Sequence, residues 1–381
     1  MDFGFNEEQE MLRNSARSFF ERECPTTFVR KMLDDPLGYS PAMWRKIAEM
    51  GWTGLLYPEK YGGLGLGMVD LVVVLEEMGR ALLPSPFLST IIEAGSAILL
   101  GATEAQRKRL LPQLISGEKT AAFALAEPNG SLSADGIAAR AVADRRSGGF
   151  VIDGVKALVQ GAPGADLLVV AARTRAKGPA EKAVSLFLVD AGTPGVTVTP
   201  LPSVDGTRRV GEVRLRSVKV GKDALLGRAD AAWPVVMKVL DRANVALCAE
   251  QAGLAQICLE LTVEYAKTRV QFGKPIGVFQ AIKHPCAEML LELESSKSAV
   301  YYAAWALDHD PKAAPLAVAM AKSYAGEAGY RIAARSIQLH GGIGFTWEHD
   351  LHLYFKRAKT TELTYGGGTH HREQVARAIG L

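Results

Sequence analysis

The sequence lacks the features that mark disulfide-rich, metal-clustering and membrane-spanning chains. Its 381 residues include only four cysteines, and no two of them form a CxxC pair or stand at another metal-ligand spacing. The 44 Lys and Arg residues nearly cancel the 41 Asp and Glu residues, and a net charge of +3 is too small to indicate a nucleic-acid surface. No apolar run is long enough to span a bilayer. The composition therefore indicates a globular protein with free thiols and predicts no metal, nucleic-acid partner or membrane span.

The first residues also lack the apolar segment of a secretory signal. The stretch MDFGFNEEQEMLRNSARSFF is charged and has helical periodicity. Asn6 followed three residues later by Gln9 is typical of a capping box at a helix start. We therefore expect a cytoplasmic protein whose first helix begins just after Asn6.

The sequence contains three zones of different periodicity. Helical spacing extends from Asn6 to about Gly117. From about Thr120 the segments are short, β-rich and separated by turn residues, which predicts an antiparallel sheet or small barrel. Helical spacing returns from Trp233 onward. The sequence thus predicts an α+β fold with an N-terminal helical domain at 1–118, a middle β domain at 119–228 and a C-terminal four-helix-bundle domain at 229–381.

Three segments carry most of the functional information. The first, YAKTRVQFGKPIGVFQAIKH, joins two predicted helices. The second, IQLHGGIGFTWEHDLHLYFKRAK, has a double glycine one turn after Gln338, where the backbone can approach a phosphate or ribose closely. The third, AFALAEPNGSLSADGIAARA, ends a predicted strand with a polar loop. Taken singly, they are also compatible with a helical hairpin, a glycine helix end and a surface loop.

Two other patterns are better explained by local structure than by chemistry. The stretch YGGLGLG at 61–67 lacks GxGxxG spacing and follows a helix, so it predicts a turn. His370 and His371 are adjacent, which places their side chains on different faces of a helix. They therefore do not predict a metal site.

In this order, the three informative segments resemble the acyl-CoA dehydrogenase family over essentially the whole chain. The most specific matches are the R-x-x-F-G…Q run from Arg269 to Gln280 and the Q-x-x-G-G-x-G run from Gln338 to Gly344. The resemblance implies a homotetramer or dimer of dimers with FAD at a subunit interface, an acyl-CoA substrate and electron-transfer flavoprotein as acceptor. It also implies that one chain holds the adenine half of its neighbour's FAD, and all the matching residues are present: Arg269, Gln271, Phe272, Gln280, Gln338, Gly341 and Gly342.

The half of the site that a family member provides for its own flavin departs from the family pattern. In place of Thr-Glu-Pro-Gly-Ala-Gly-Ser-Asp, residues 126–133 are Ala-Glu-Pro-Asn-Gly-Ser-Leu-Ser. In place of Trp-Ile-Thr, this chain has Leu158, Val159 and Gln160. The hydroxyls and the indole that the resemblance assigns to flavin contact are therefore absent.

The catalytic base of the family is also missing. The resemblance places the usual glutamate at Gly366 and an alternative glutamate at Ala243, and neither residue can accept a proton from the acyl α-carbon. Glu250 lies seven residues after Ala243 on the same helix face, about 10.5 Å away. It is the weak substitute candidate for the base, and a charge that is solvated or paired at a bundle interface is the alternative. The Gly366 N–H would still be free to bind a thioester oxygen.

The losses are sorted by the flavin that each residue would serve. Residues for a neighbour's flavin persist, while those for the chain's own flavin are replaced. This pattern favours the non-catalytic partner in an α2β2 enzyme, whose homologous subunit supplies the ring pocket and the glutamate. Two alternatives stay open: a self-sufficient acyl-CoA flavoenzyme with an atypical base or different chemistry, as a homotetramer or homodimer, and a flavin-free structural or acyl-CoA-binding protein.

Overall fold

The first part of the computed structural model, which describes residues 4–381, is helical; residues 1–3 of the predicted first domain lie outside the described residues. The predicted capping box starts the first helix, because the Asn6 side chain accepts from the Gln9 N–H at 2.8 Å and the Gln9 side chain accepts from the Asn6 N–H at 3.1 Å. The helices are α1 (Glu7–Glu23), α2 (Thr26–Leu33), α3 (Pro41–Glu49), α4 (Met68–Arg80), α5 (Gly95–Gly101) and α6 (Glu104–Ile115). A π-helix, Leu88–Ala94, leads directly into α5.

The middle part is a seven-stranded sheet that covers one side of the helical core. Its strands are β1 (Ala121–Ala124), β2 (Arg140–Ala143), β3 (Phe150–Gln160), β4 (Leu167–Arg173), β5 (Val184–Asp190), β6 (Val196–Leu201) and β7 (Val210–Val220). The order is β1-β4-β2-β3-β7-β6, and β5 pairs with β4.

One feature of the sheet differs from the antiparallel prediction. The β1 and β4 strands run parallel, with Ala121 opposite Leu167 and Ala124 opposite Val170, and β2 meets β4 in a parallel bridge. The chain completes the β2–β3 hairpin before it returns to the edge where β1 lies, so β4 arrives in the same direction as β1. The other strand pairs are antiparallel, as predicted.

The last part is a bundle of long helices. Its elements are α7 (Trp233–Thr268), the short hairpin strands β8 (Val270–Gln271) and β9 (Lys274–Pro275), α8 (Gln280–His309), α9 (Ala314–His340), α10 (Leu351–Leu363) and α11 (Gly368–Ala378). The α7, α8 and α9 helices pack side by side, and α10 packs against α7 and α9. Together with the helical first part and the sheet, this bundle confirms the predicted α+β fold.

A close crossing of α4 and α7 joins the first and last parts. Gly253 of α7 faces the Glu76 carbonyl, and Gly79 of α4 faces the Glu250 carbonyl, so that a Cβ at either glycine would overlap the opposite backbone. Apolar side chains from both parts then share one core around this crossing. The crossing fixes the position of α7 relative to the π-helix, and those two elements border the site described next.

Within residues 4–381, no helix combines the length and the apolar character needed to cross a bilayer. All four cysteines are free thiols, and three of them are buried.

Candidate functional site

The predicted adenine-half residues lie together at one end of the C-terminal bundle. Arg269 follows the last residue of α7, the β8–β9 hairpin comes next, and Gln280 begins α8. Gln338 lies in the last turn of α9, just before the double glycine. The Tyr265 and His340 rings stack at 4.4 Å and hold the ends of α7 and α9 side by side. Two segments separated by about 60 residues of sequence are thus joined at one surface.

These residues project from the chain rather than into its core. All seven are exposed, and Phe272 has 89% of its surface accessible. The Arg269 guanidinium has no hydrogen-bond or ion-pair partner among residues 4–381. A Cβ at Gly341 or Gly342 would meet no atom within 4 Å, so packing within the chain does not require these glycines. The surface has an unpaired cation and open backbone, as a phosphate-containing ligand from outside requires.

A cavity of about 800 Å³ lies between the sheet and the connection from α10 to α11. Its wall is mostly apolar, and Leu158 and Val204 at its edge are 66% and 71% exposed. Gln160, where the family has threonine, is buried at 7% exposure and also lines the cavity. The cavity holds the position expected for the chain's own flavin ring, but its walls present few polar groups.

The polar loop beside this cavity is bonded to itself. Asn129 accepts from the Ser131 N–H and donates to the Gly136 carbonyl, and the Ser131 and Ser133 hydroxyls are 2.9 Å apart. Glu127 pairs with the fully buried Lys156 at 2.7 Å and accepts from two further backbone N–H groups. The residues available for an adenine half therefore fit FAD, whereas those available for a ring half are apolar or already bonded.

Neither base position carries a carboxylate, and the site is shaped for that absence. Gly366 has φ +100°, and a Cβ there would stand 2.5 Å from His370 Cδ2. The Gly366 N–H donates to the Leu363 carbonyl at 3.2 Å, so the expectation that it is free for a thioester oxygen is wrong. The Ala243 methyl group is fully buried.

Glu250 is enclosed in a buried ion pair. It pairs with Arg208, which also donates to the Thr361 hydroxyl at 3.3 Å. A second buried pair lies beside it, in which Arg357 donates to Asp205 at 2.8 Å. The Glu250 carboxylate is therefore engaged with an arginine that sequence reasoning did not single out.

A further buried acid, Glu93, was also missed. It belongs to the π-helix, has no exposed surface, and faces the Tyr365 hydroxyl. Burial raises the pKa of Glu93 to about 8. The signal was available, because a single carboxylate interrupts the apolar run LSTIIEAGSAILL.

His370 and His371 differ in environment, as expected for neighbouring helix positions. His371 is buried and contacts the Tyr365 carbonyl at 3.1 Å, while His370 is exposed at the cavity edge. Burial lowers the pKa of His371 to about 4. No group of three or more His, Cys, Asp or Glu side chains suited to a metal ion occurs within residues 4–381.

Fold and site together define a class of chain that combines a helix–sheet–helix scaffold with a ligand surface turned toward a neighbour. Family models of the acyl-CoA dehydrogenase N-terminal, middle and C-terminal domains match residues 6–118, 122–218 and 231–380. The chain belongs to the acyl-CoA dehydrogenase family, whose members are FAD-dependent oxidoreductases acting on CH–CH bonds.

Individual relatives cover both directions of that chemistry. An acryloyl-CoA reductase (NADH) from Anaerotignum propionicum is 31% identical, with 100% of this chain and 96% of the relative covered. The structure of butyryl-CoA dehydrogenase from Megasphaera elsdenii is 28% identical with a TM-score of 0.92, and covers 100% of both chains. A chain of the ChsE4-ChsE5 complex from Mycobacterium tuberculosis is 29% identical with a TM-score of 0.89, covering 100% of this chain and 99% of that one.

Proposed function

We propose that this chain is the non-catalytic subunit of an α2β2 acyl-CoA dehydrogenase and contributes the adenine-half contacts to FAD in a homologous subunit. One observation carries the proposal. The adenine-half residues lie exposed at one surface, with the Arg269 guanidinium unpaired, while both base positions lack a carboxylate. A chain that served its own flavin would need both sets.

In this role Arg269 binds a pyrophosphate oxygen by a charge-assisted hydrogen bond. Gln338, Gly341 and Gly342 bring amide groups and open backbone to the nucleotide. When bound in the partner, FAD accepts the hydride that leaves the acyl β-carbon. The partner's own glutamate takes the α-proton, because Gly366 and Ala243 supply no base here.

The proposal places acyl-CoA in the partner and passes electrons to electron-transfer flavoprotein. The ChsE4-ChsE5 structure supports an assembly of two chain types, since it is a complex of this family with a similar fold. The four free thiols support a reducing cytoplasm as the location.

A flavin count tests the proposal. We would co-express this chain with a homologous chain that retains the Trp-Ile-Thr strand and a base glutamate, purify the complex, and measure FAD per chain. We expect one FAD for every two chains, and none on this chain purified alone. One FAD per chain in the isolated protein would overturn the proposal.

A matched pair of substitutions locates the contact. Arg269→Ala lowers the FAD content of the complex, because the pyrophosphate loses its cation. Arg145→Ala is the control, because Arg145 is also exposed and unpaired but lies on the sheet, away from this surface. Equal FAD content in the two variants would show that the Arg269 surface does not bind the flavin.

A further inference from the structure

Three buried charged residues fill the interior behind Gly366, and we call them the charged plug. They are Glu93, Arg208 and Glu250, with exposed fractions of 0%, 9% and 8%. They come from three separate parts of the chain: the π-helix, the connection from β6 to β7, and α7. Charged side chains are seldom buried to this extent unless they are paired.

Arg208 lies at the centre of the plug. Its guanidinium pairs with Glu250 on one side and donates to Thr361 of α10 at 3.3 Å. Its charge also acts on the Glu93 carboxyl. The Arg357–Asp205 pair fixes the backbone three residues before Arg208 at 2.8 Å, so the connection that carries Arg208 is held against α10.

The plug lies on the side of Gly366 that faces α7. Thr361, which Arg208 contacts, is one turn before Tyr365, and Tyr365 faces Glu93. Ala243, the alternative base position, and Glu250 are two turns apart on one face of α7. The charged plug therefore occupies the space between the α10–α11 connection, α7 and the π-helix, next to both positions where the family carries its base.

Little space remains around the plug. The cavity that Arg208 shares with Ser89 and Gln160 has a volume of about 30 Å³, which holds about one water molecule. An apolar chain entering this region would have to separate Arg208 from Glu250 and could not satisfy either charge. The interior is closed by chemistry as well as by volume.

We propose that the charged plug closes the acyl channel of this chain, so that acyl chains of CoA thioesters are excluded here and bind in the partner subunit alone. This inference rests on the proposed function, because it explains how only one of two related subunits takes substrate. It assigns the exclusion to Arg208 and Glu250, two residues outside both base positions.

The affinity difference between CoA and hexanoyl-CoA, measured by calorimetry on the purified full chain, tests the proposal. An acyl chain that entered an apolar channel would tighten binding well beyond ten-fold, since each buried methylene contributes about 0.8 kcal/mol. For the wild type we expect hexanoyl-CoA to gain less than about three-fold over CoA, including the case where neither binds. A gain of ten-fold or more in the wild type would overturn the proposal without any substitution.

Two double variants then address the plug itself. Arg208→Ala with Glu250→Ala removes both charges and their volume, and we expect hexanoyl-CoA to bind at least ten-fold tighter than CoA. Arg208→Met with Glu250→Met removes the charges but keeps most of the volume, so the channel should stay closed. A folded alanine variant that gains no preference for hexanoyl-CoA would overturn the proposal.

This outcome is separable from that of the flavin count. If the isolated chain bound one FAD but still ignored the acyl chain, the proposed function would fail and the plug would stand. If the complex contained one FAD per two chains while the wild-type chain favoured hexanoyl-CoA ten-fold, the plug alone would fail.

Discussion

Gly366 has φ +100°, a conformation that residues with a side chain rarely adopt, and a Cβ there would press on His370. We predict that Gly366→Ala lowers the free energy of unfolding by about 1–3 kcal/mol. Gly192→Ala is the control, because its Cβ would meet no atom within 4 Å and its φ lies outside the left-handed region. Denaturant titration measures both, and equal stability of the two variants would contradict this account.

The same torsion bears on activity. A glutamate at position 366 would carry the strain of the alanine variant and place its side chain against His370. We therefore expect no dehydrogenase activity from Gly366→Glu in the isolated chain, measured with butyryl-CoA and an artificial electron acceptor. The absence of the base is built into the backbone as well as into the sequence.

Glu93 makes stability depend on pH. Its pKa is raised from 4.5 to about 8 by burial, with the Tyr365 hydroxyl and the Arg208 charge acting against that shift. The folded state therefore holds a proton that the unfolded state releases between pH 4.5 and 8, and the stabilisation present below pH 4.5 is lost as pH rises through 8. The slope is about −1.4 kcal/mol per pH unit within this window.

Replacement by glutamine removes this term. We predict that the wild type loses more unfolding free energy between pH 5 and pH 8 than Glu93→Gln does, as measured by urea titration at both pH values. Parallel losses in the two proteins would mean that Glu93 is ionised throughout and that its burial is compensated by another group.

At the scale of secondary structure, the α4–α7 crossing depends on two glycines. We predict that Gly253→Ala destabilises the protein by about 1–3 kcal/mol or more, because its methyl group would overlap the Glu76 carbonyl. Gly326→Ala in α9 is the matched control, since its Cβ would meet Glu362 atoms at 3.7 Å, an ordinary contact. There we expect no loss, or a gain of up to about 1 kcal/mol from helix propensity. Thermal unfolding distinguishes the two, and similar melting temperatures would argue against the close crossing.

Elements set by local signals were predictable from the sequence. The Asn6 capping box and the change of period near Thr120 depend on residues close together in the chain, and both appear in the structure. The parallel β1–β4 pair was not predictable, because strand direction depends on where the chain returns after the β2–β3 hairpin. The domain limits at 118 and 228 remain predictions.

The site divides along the same line. The adenine-half residues fall in two continuous motifs, so sequence alone grouped them. Arg208 and Glu250 are far apart in sequence, and their pairing exists only because the β6–β7 connection folds onto α7. Glu250 could be placed on a helix face from its spacing, but its partner could not. Contacts made across domains are therefore the part of the site that requires a structure.

At the scale of the whole molecule, the adenine-half surface is also an apolar one. Phe272 and Phe345 are 89% and 74% exposed, and the stacked Tyr265 and His340 rings hold the ends of α7 and α9 together near them. Exposed aromatic side chains beside an unpaired arginine are typical of an interface with another protein chain.

We predict that Phe272→Asp with Phe345→Asp lowers the molar mass of the purified protein in solution, because two charges would be buried unpaired in the subunit interface. Met11→Asp, at a position 65% exposed on α1, is the control and should keep the wild-type mass. Light scattering coupled to size-exclusion chromatography measures all three proteins. An unchanged mass in the double variant would separate the adenine-half surface from the subunit interface, and the neighbour's flavin would then have to reach Arg269 from another direction.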